Sequence, residues 1–205
     1  MTAPHDSARE ARILNSANSP NIITLLETFQ LPGGRLVLVF PFKQWDLTRL
    51  LQENKINPTN RETILRDLFQ ALAFIHSQGI IHRDVKPANI LLAFPQGPAY
   101  LADFGIAWSP SDPSGEPAEQ KLLDVGTTCY RPPELLFGNT AYGSKLDMWA
   151  AGCVAAQVVC LGLATMFETG DLGSELALIR SVFETLGTPD LEVWPVSILL
   201  FAWGL

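Results

Sequence analysis

Apolar and polar positions change their period several times along this 205-residue chain, and each change predicts an element. Ile64, Leu65, Leu68, Leu72 and Ile75 recur at the three-and-four spacing of one helical face. Thr59 or Asn60 is placed to cap that helix, and Gly79 to stop it. Earlier, residues 22–29 and 36–42 are rich in β-branched and aromatic side chains and flank Pro32-Gly33-Gly34, which predicts a hairpin. Residues 47–52 read as a short helix. Residues 148–167 carry no charge and a single Gln157. That pattern fits either a helix buried on all sides or, by length alone, a membrane span. Residues 109–120, dense in Pro, Ser, Gly and Glu, read as a solvated loop. No internal repeat is visible.

Composition narrows the class. The length suffices for one domain with a sizeable core. Hydrophobic residues make up 47% and charged residues 17%, and mean hydropathy is +0.17, so polar cover is thin. The net charge of −7, without a basic run, argues against nucleic acid and anionic membranes as partners. Cys129, Cys153 and Cys160 lack metal-ligand spacing; Cys153 and Cys160 share one predicted helix face and read as buried packing thiols. A soluble protein of a reducing intracellular compartment, nuclear or cytoplasmic, is expected. Pro4, His5, Asp6, Arg9 and Glu10 interrupt any apolar run at the start, so no signal peptide is expected.

The chemistry concentrates in His82-Arg83-Asp84-Val85-Lys86-Pro87-Ala88-Asn89 and in Asp103-Phe104-Gly105. One loop offers a carboxylate, an ammonium and an amide; a second returns another carboxylate. Those are the parts for phosphoryl transfer: a base for a hydroxyl, a cation for developing charge, and two hard oxygen ligands for Mg²⁺. Order and spacing together make the pair specific, whereas Asp-Phe-Gly alone recurs by chance.

These residues resemble the catalytic domain of eukaryotic serine/threonine protein kinases, in the cyclin-dependent-kinase-like group. Tyr130-Arg131-Pro132-Pro133-Glu134 resembles the end of the activation segment, with Pro132 where the family usually has Ala. Leu186-Gly187-Thr188-Pro189-Asp190 and Trp194-Pro195 resemble the region after the family's sixth large helix. The resemblance implies an α+β, protein-kinase-like fold, with a domain over residues 1–195. It would comprise a partial N-lobe at about 1–42, holding the αC helix and two or so strands, and a mostly helical C-lobe at about 46–195. Residues 196–205 form an apolar tail of unclear origin. Asp147, Trp149 and Gly152 look like the start of the family's αF helix, which favours burial over a membrane span for residues 148–167.

By the same resemblance Asp84 is the catalytic base and Lys86 the cation at the γ-phosphate of ATP. Asn89 and Asp103 hold Mg²⁺, Asp147 holds the catalytic-loop backbone, and Thr127 bridges Asp84 and Lys86. Ile23, Phe40, Pro41, Lys43 and Leu91 would line the adenine site, Phe40 as gatekeeper and Pro41 through its carbonyl, a role proline keeps. His82 and His76 read as structural. Implied partners are a protein substrate and a cyclin-like activator. The position of the usual activating threonine falls on Leu122, which accepts no phosphate, so ordering of the segment is expected not to depend on phosphate there.

Arg9-Glu10 and Ile13-Leu14 resemble αC itself, the first lysine is Lys43, and no G-x-G-x-x-G occurs. The reading is therefore of a kinase core truncated at both ends, with Glu10 lacking its lysine partner and little turnover expected. Two functions stay open: a serine/threonine kinase, and a catalytically impaired kinase-like binding or scaffold module.

Overall fold

Asp6 opens the first helix, α1 (Ser7–Ser16), by accepting the backbone N–H groups of Ala8 and Arg9. The computed structural model of the chain describes residues 5–170 and 173–189. Leu36–Val39 (β2) folds back on Glu27–Gln30 (β1) as an antiparallel pair, Glu27 facing Val39. Gly33 and Gly34 make the turn at φ of +90° and +82°, backbone that L side chains resist. The expected strand over 22–29 is split. Ile22 bridges Leu101 in parallel, while the 27–30 portion pairs with β2. One apolar run serves two sheets because its two ends face different neighbours.

Trp45–Asp46 (β3) leads into α2 (Leu47–Gln52), capped by the Asp46 carboxylate on the Arg49 N–H. The long helix α3 spans Pro58–Ser77, its cap falling at Asn57 rather than at the expected Thr59 or Asn60. Asn57 caps it, accepting from Thr59 and Asn60, while the Asn60 side chain accepts the Asn57 N–H in return. Pro58, locked at helical φ, begins the first turn. Ile90–Leu92 (β4) and Ala99–Leu101 (β5) complete a three-stranded antiparallel sheet in the order β3-β4-β5. Residues 109–120 are irregular, as expected.

The C-terminal half is helical: α4 (Pro133–Leu136), α5 (Lys145–Ala156) and α6 (Glu175–Leu186). The uncharged run at 148–167 does not make one helix. A π turn over Gln157–Leu161 continues α5, and Gly162 ends it at φ +62°. No helix among the described residues is long and apolar enough to cross a membrane. The π turn also corrects the cysteine reading: Cys153 is buried but Cys160 is exposed. A wide turn re-phases the helix, so residues seven apart no longer share a face.

The main apolar cluster joins α1, α2, α3, the three-stranded sheet and α5, while α4 and α6 contribute to two smaller ones. It takes Ile13 and Leu14 from α1, Leu47 and Leu50 from α2, Leu68 and Leu72 from α3, Ile90 and Leu101 from the sheet, and Ala151 and Val154 from α5. The two loops that carry the chemistry lie across it. Trp194-Pro195 and the 196–205 tail fall outside the described residues.

Candidate active site

The loop after α3 is fixed from beneath by a buried carboxylate. Asp147, in the first turn of α5 and fully inaccessible, accepts the N–H groups of His82 and Arg83 at 2.8 Å each. His76, on the last turn of α3, places Nε2 2.8 Å from the same carboxylate. Three partners account for its charge, as burial requires. Arg83 then takes φ +73°, a left-handed conformation costly for a non-glycine residue and one that occurs at functional sites. His82 meets the Phe104 ring edge-on at 4.8 Å, and its Nε2 lies 2.9 Å from the Ala102 carbonyl. His82 therefore joins the two loops, and His76 ties the end of α3 to Asp147.

Asp84 stands at the centre. Its Oδ1 accepts the Thr127 hydroxyl at 2.8 Å and the Thr127 N–H at 3.0 Å. Its Oδ2 lies 2.7 Å from Lys86 Nζ and accepts from Asn89 Nδ2 at 3.1 Å. Lys86 also donates to Thr127 Oγ1 at 3.0 Å. Burial pushes the Asp84 carboxyl up, but the Lys86 and Thr127 hydrogen bonds outweigh it and hold the pKa below the usual aspartate value. Asp84 is thus an ionised carboxylate with three bonded neighbours and a partly accessible face.

The second loop is tied to the first through backbone, Ala102 N–H donating to the Asn89 carbonyl at 2.9 Å. Asp103 follows at φ +65°, and its Oδ1 lies 3.3 Å from His5 Nε2. Glu10 sits beside it, accepting the Phe104 N–H at 3.2 Å. The structure therefore groups Asp84, Lys86, Asn89 and Thr127, and sets Asp103 next to His5 and Glu10. Asn89 spends its amide N–H groups on the Asp84 carbonyl and carboxylate, which leaves Oδ1 as its oxygen donor. An amide oxygen and the Asp103 carboxylate are the hard donors Mg²⁺ takes.

Three of the residues expected at the adenine site share the main apolar cluster. Ile23 is buried in the main cluster, and Phe40 and Leu91 pack against it. The Ile23 N–H donates to the Leu101 carbonyl at 2.9 Å. Pro41 is half-buried and Phe42 exposed, while the Lys43 ammonium lies 4.0 Å from the centre of the Tyr100 ring.

Reading the sequence missed the acidic residues of the loop over 109–120. Glu116 pairs with Arg83, and Asp112 with Arg9 and Arg12. A usable signal was present: Leu122 in place of a phosphorylatable residue, and three carboxylates, Asp112, Glu116 and Glu119, in the segment before it.

The fold and this constellation are of the protein kinase type. Residues 2–190 match the protein kinase domain family, and the chain belongs to it. Within that family it falls in the cyclin-dependent-kinase-like group. It is 37% identical over 196 residues to the serine/threonine-protein kinase csk1 of Schizosaccharomyces pombe, covering 94% of this chain and 62% of that protein. It is 39% identical over 189 residues to cyclin-dependent kinase 7 of Xenopus laevis, covering 91% and 51%. Among solved structures it is similar to a chain of the yeast RNA Pol II CTD kinase CTDK-1 complex, with a TM-score of 0.81 and 32% identity over 96% of this chain and 62% of that one. The chain spans about half to three fifths of the length of these curated relatives.

Proposed function

We propose that the protein transfers the γ-phosphate of ATP to serine or threonine hydroxyls of protein substrates. The connected set Asp84–Lys86–Thr127–Asn89, seated on Asp147, carries this reading. The hydroxyl oxygen bonds to phosphorus as the bond to the ADP oxygen breaks, and its proton passes to Asp84. A carboxylate of depressed pKa is a weak base, so Asp84 serves first to aim the hydroxyl and takes the proton late. That suits a loose transition state in which little proton transfer precedes bond breaking. Lys86 sets a positive charge beside the moving phosphoryl group. Asn89 and Asp103 are the residues that would hold Mg²⁺, which neutralises phosphate charge when bound. Ile23, Phe40, Pro41, Lys43 and Leu91 are proposed to receive the adenine. A cyclin-like activator belongs to the same reading, since one relative is a cyclin-dependent kinase.

The test follows labelled phosphate from ATP to a mixed serine/threonine peptide library. Asp84→Asn should lower kcat by about 10³-fold or more while ATP affinity stays within a few-fold, because the lost group acts in the transition state. Undiminished transfer in the variant would refute the assignment.

A further inference from the structure

The segment between the two loops and α4 is held by charges of its own. Arg83 has no accessible side-chain surface, yet its charge is matched: Nη2 donates to Glu116 Oε2 at 3.0 Å and Nη1 to Oε1 at 3.3 Å. This two-point pairing is the planar geometry by which guanidinium recognises carboxylate or phosphate. Arg9 and Arg12, on α1, converge at 3.2 and 2.9 Å on Asp112, whose side chain is 2% exposed. Burial raises the Glu116 carboxyl, but Arg83 more than offsets it, so the carboxylate stays charged. The Trp108 ring N–H donates to the Glu116 carbonyl at 2.9 Å, and the Tyr142 hydroxyl to the Leu122 carbonyl at 2.6 Å.

The chain beyond Glu116 delivers Thr127 to Asp84. Gly126 passes so close that a Cβ there would stand 2.8 Å from the Arg83 carbonyl, and it adopts φ +76°. Only glycine tolerates both demands. Thr127 then donates its N–H and hydroxyl to Asp84. Arg83, the residue before Asp84, is thus paired at its guanidinium by Glu116 and closely approached at its carbonyl by Gly126.

We propose that Glu116, seconded by Asp112, is a positioning residue whose carboxylate locks the activation segment on Arg83, so that Thr127 reaches Asp84 without any phosphate on the segment. This rests on the kinase reading of the same site. Leu122, where the resemblance places the usual phosphate acceptor, is 43% exposed and offers only its carbonyl to Tyr142.

The full-length protein, co-expressed with a protein phosphatase and shown phosphate-free by intact mass, is compared with Glu116→Gln and Glu116→Asp by hydrogen exchange and by phosphoryl transfer. The phosphate-free protein should be protected over residues 116–127. Glu116→Gln should exchange there about 100-fold faster, the order expected when a buried ion pair loses one partner, with α3 unchanged. Its kcat should fall at least about tenfold with KM for ATP nearly constant, and Glu116→Asp should recover most of both. Equal exchange in the phosphate-free protein and Glu116→Gln, or protection that arises only with a phosphate in the segment, overturns the proposal. Transfer present but indifferent to Glu116→Gln also overturns it and leaves the kinase reading standing. A segment that loosens in Glu116→Gln, in a protein that transfers no phosphate, upholds the lock and removes the kinase reading instead.

Discussion

Glu10 and Asp84 show how one functional group, the carboxyl, is pushed in opposite directions by its neighbours. Asp84 is surrounded by donors and keeps its charge. Glu10 is 6% exposed, accepts the Phe104 N–H, and lies near the Asp103 carboxylate; burial first and Asp103 second raise its pKa above 4.5. The folded chain therefore holds the Glu10 proton more tightly than the unfolded chain does. Its contribution to stability falls as pH rises from 4.5 through the raised folded value, and the penalty is complete above that value. Glu10→Gln keeps the acceptor oxygen and removes the charge. Its melting temperature in this chain should rise by about 2–4 °C at neutral pH and show no gain in acid, read by calorimetry on both sides of that window. A variant that melts lower than the parent at neutral pH contradicts the argument. The sequence marked Asp84, Lys86, Asn89 and Asp103 because fixed offsets in a short loop restrict where side chains fall. Glu116 and Asp112 carried only a weaker signal, because their arginine partners come from far along the chain.

At the scale of elements, α5 is the support on which the catalytic loop rests. Asp147 supplies the link, accepting from His82 and Arg83 at full burial. An amide at this position would turn an NH₂ group toward one of those donors. Asp147→Asn should cost about 3 kcal/mol or more in urea unfolding, since it leaves buried donors unpaired. A loss below about 1 kcal/mol would show that the loop finds other acceptors. The helices were legible where an apolar stripe runs long enough to fix their phase, as in α3. Its start was misread because Asn57 and Asn60 both suit a cap, and Pro58 between them decides for the earlier one. Period reading also failed at the split of residues 22–29 and at Cys160, where a change of neighbour and a π turn break the repeat.

At the scale of the whole molecule, a single apolar cluster runs from α1 through the sheet and α3 to α5. Leu72, inaccessible at its centre, should cost about 2–5 kcal/mol when cut to alanine. Backbone ellipticity and tryptophan fluorescence should shift together in one transition, as a shared core requires. Two separated transitions would mean that the lobes unfold independently. The Arg9 and Arg12 pairs with Asp112 add a polar link between α1 and the activation segment across that core. The amino-acid order alone determined the family, the main helices and the catalytic-loop residues, because those depend on short spacings and local periodicity. That Glu116 answers Arg83, and that Asp112 meets Arg9 and Arg12, were decided only by folding. Those contacts join residues tens of positions apart, and no local pattern along a chain encodes the geometry of a distant partner.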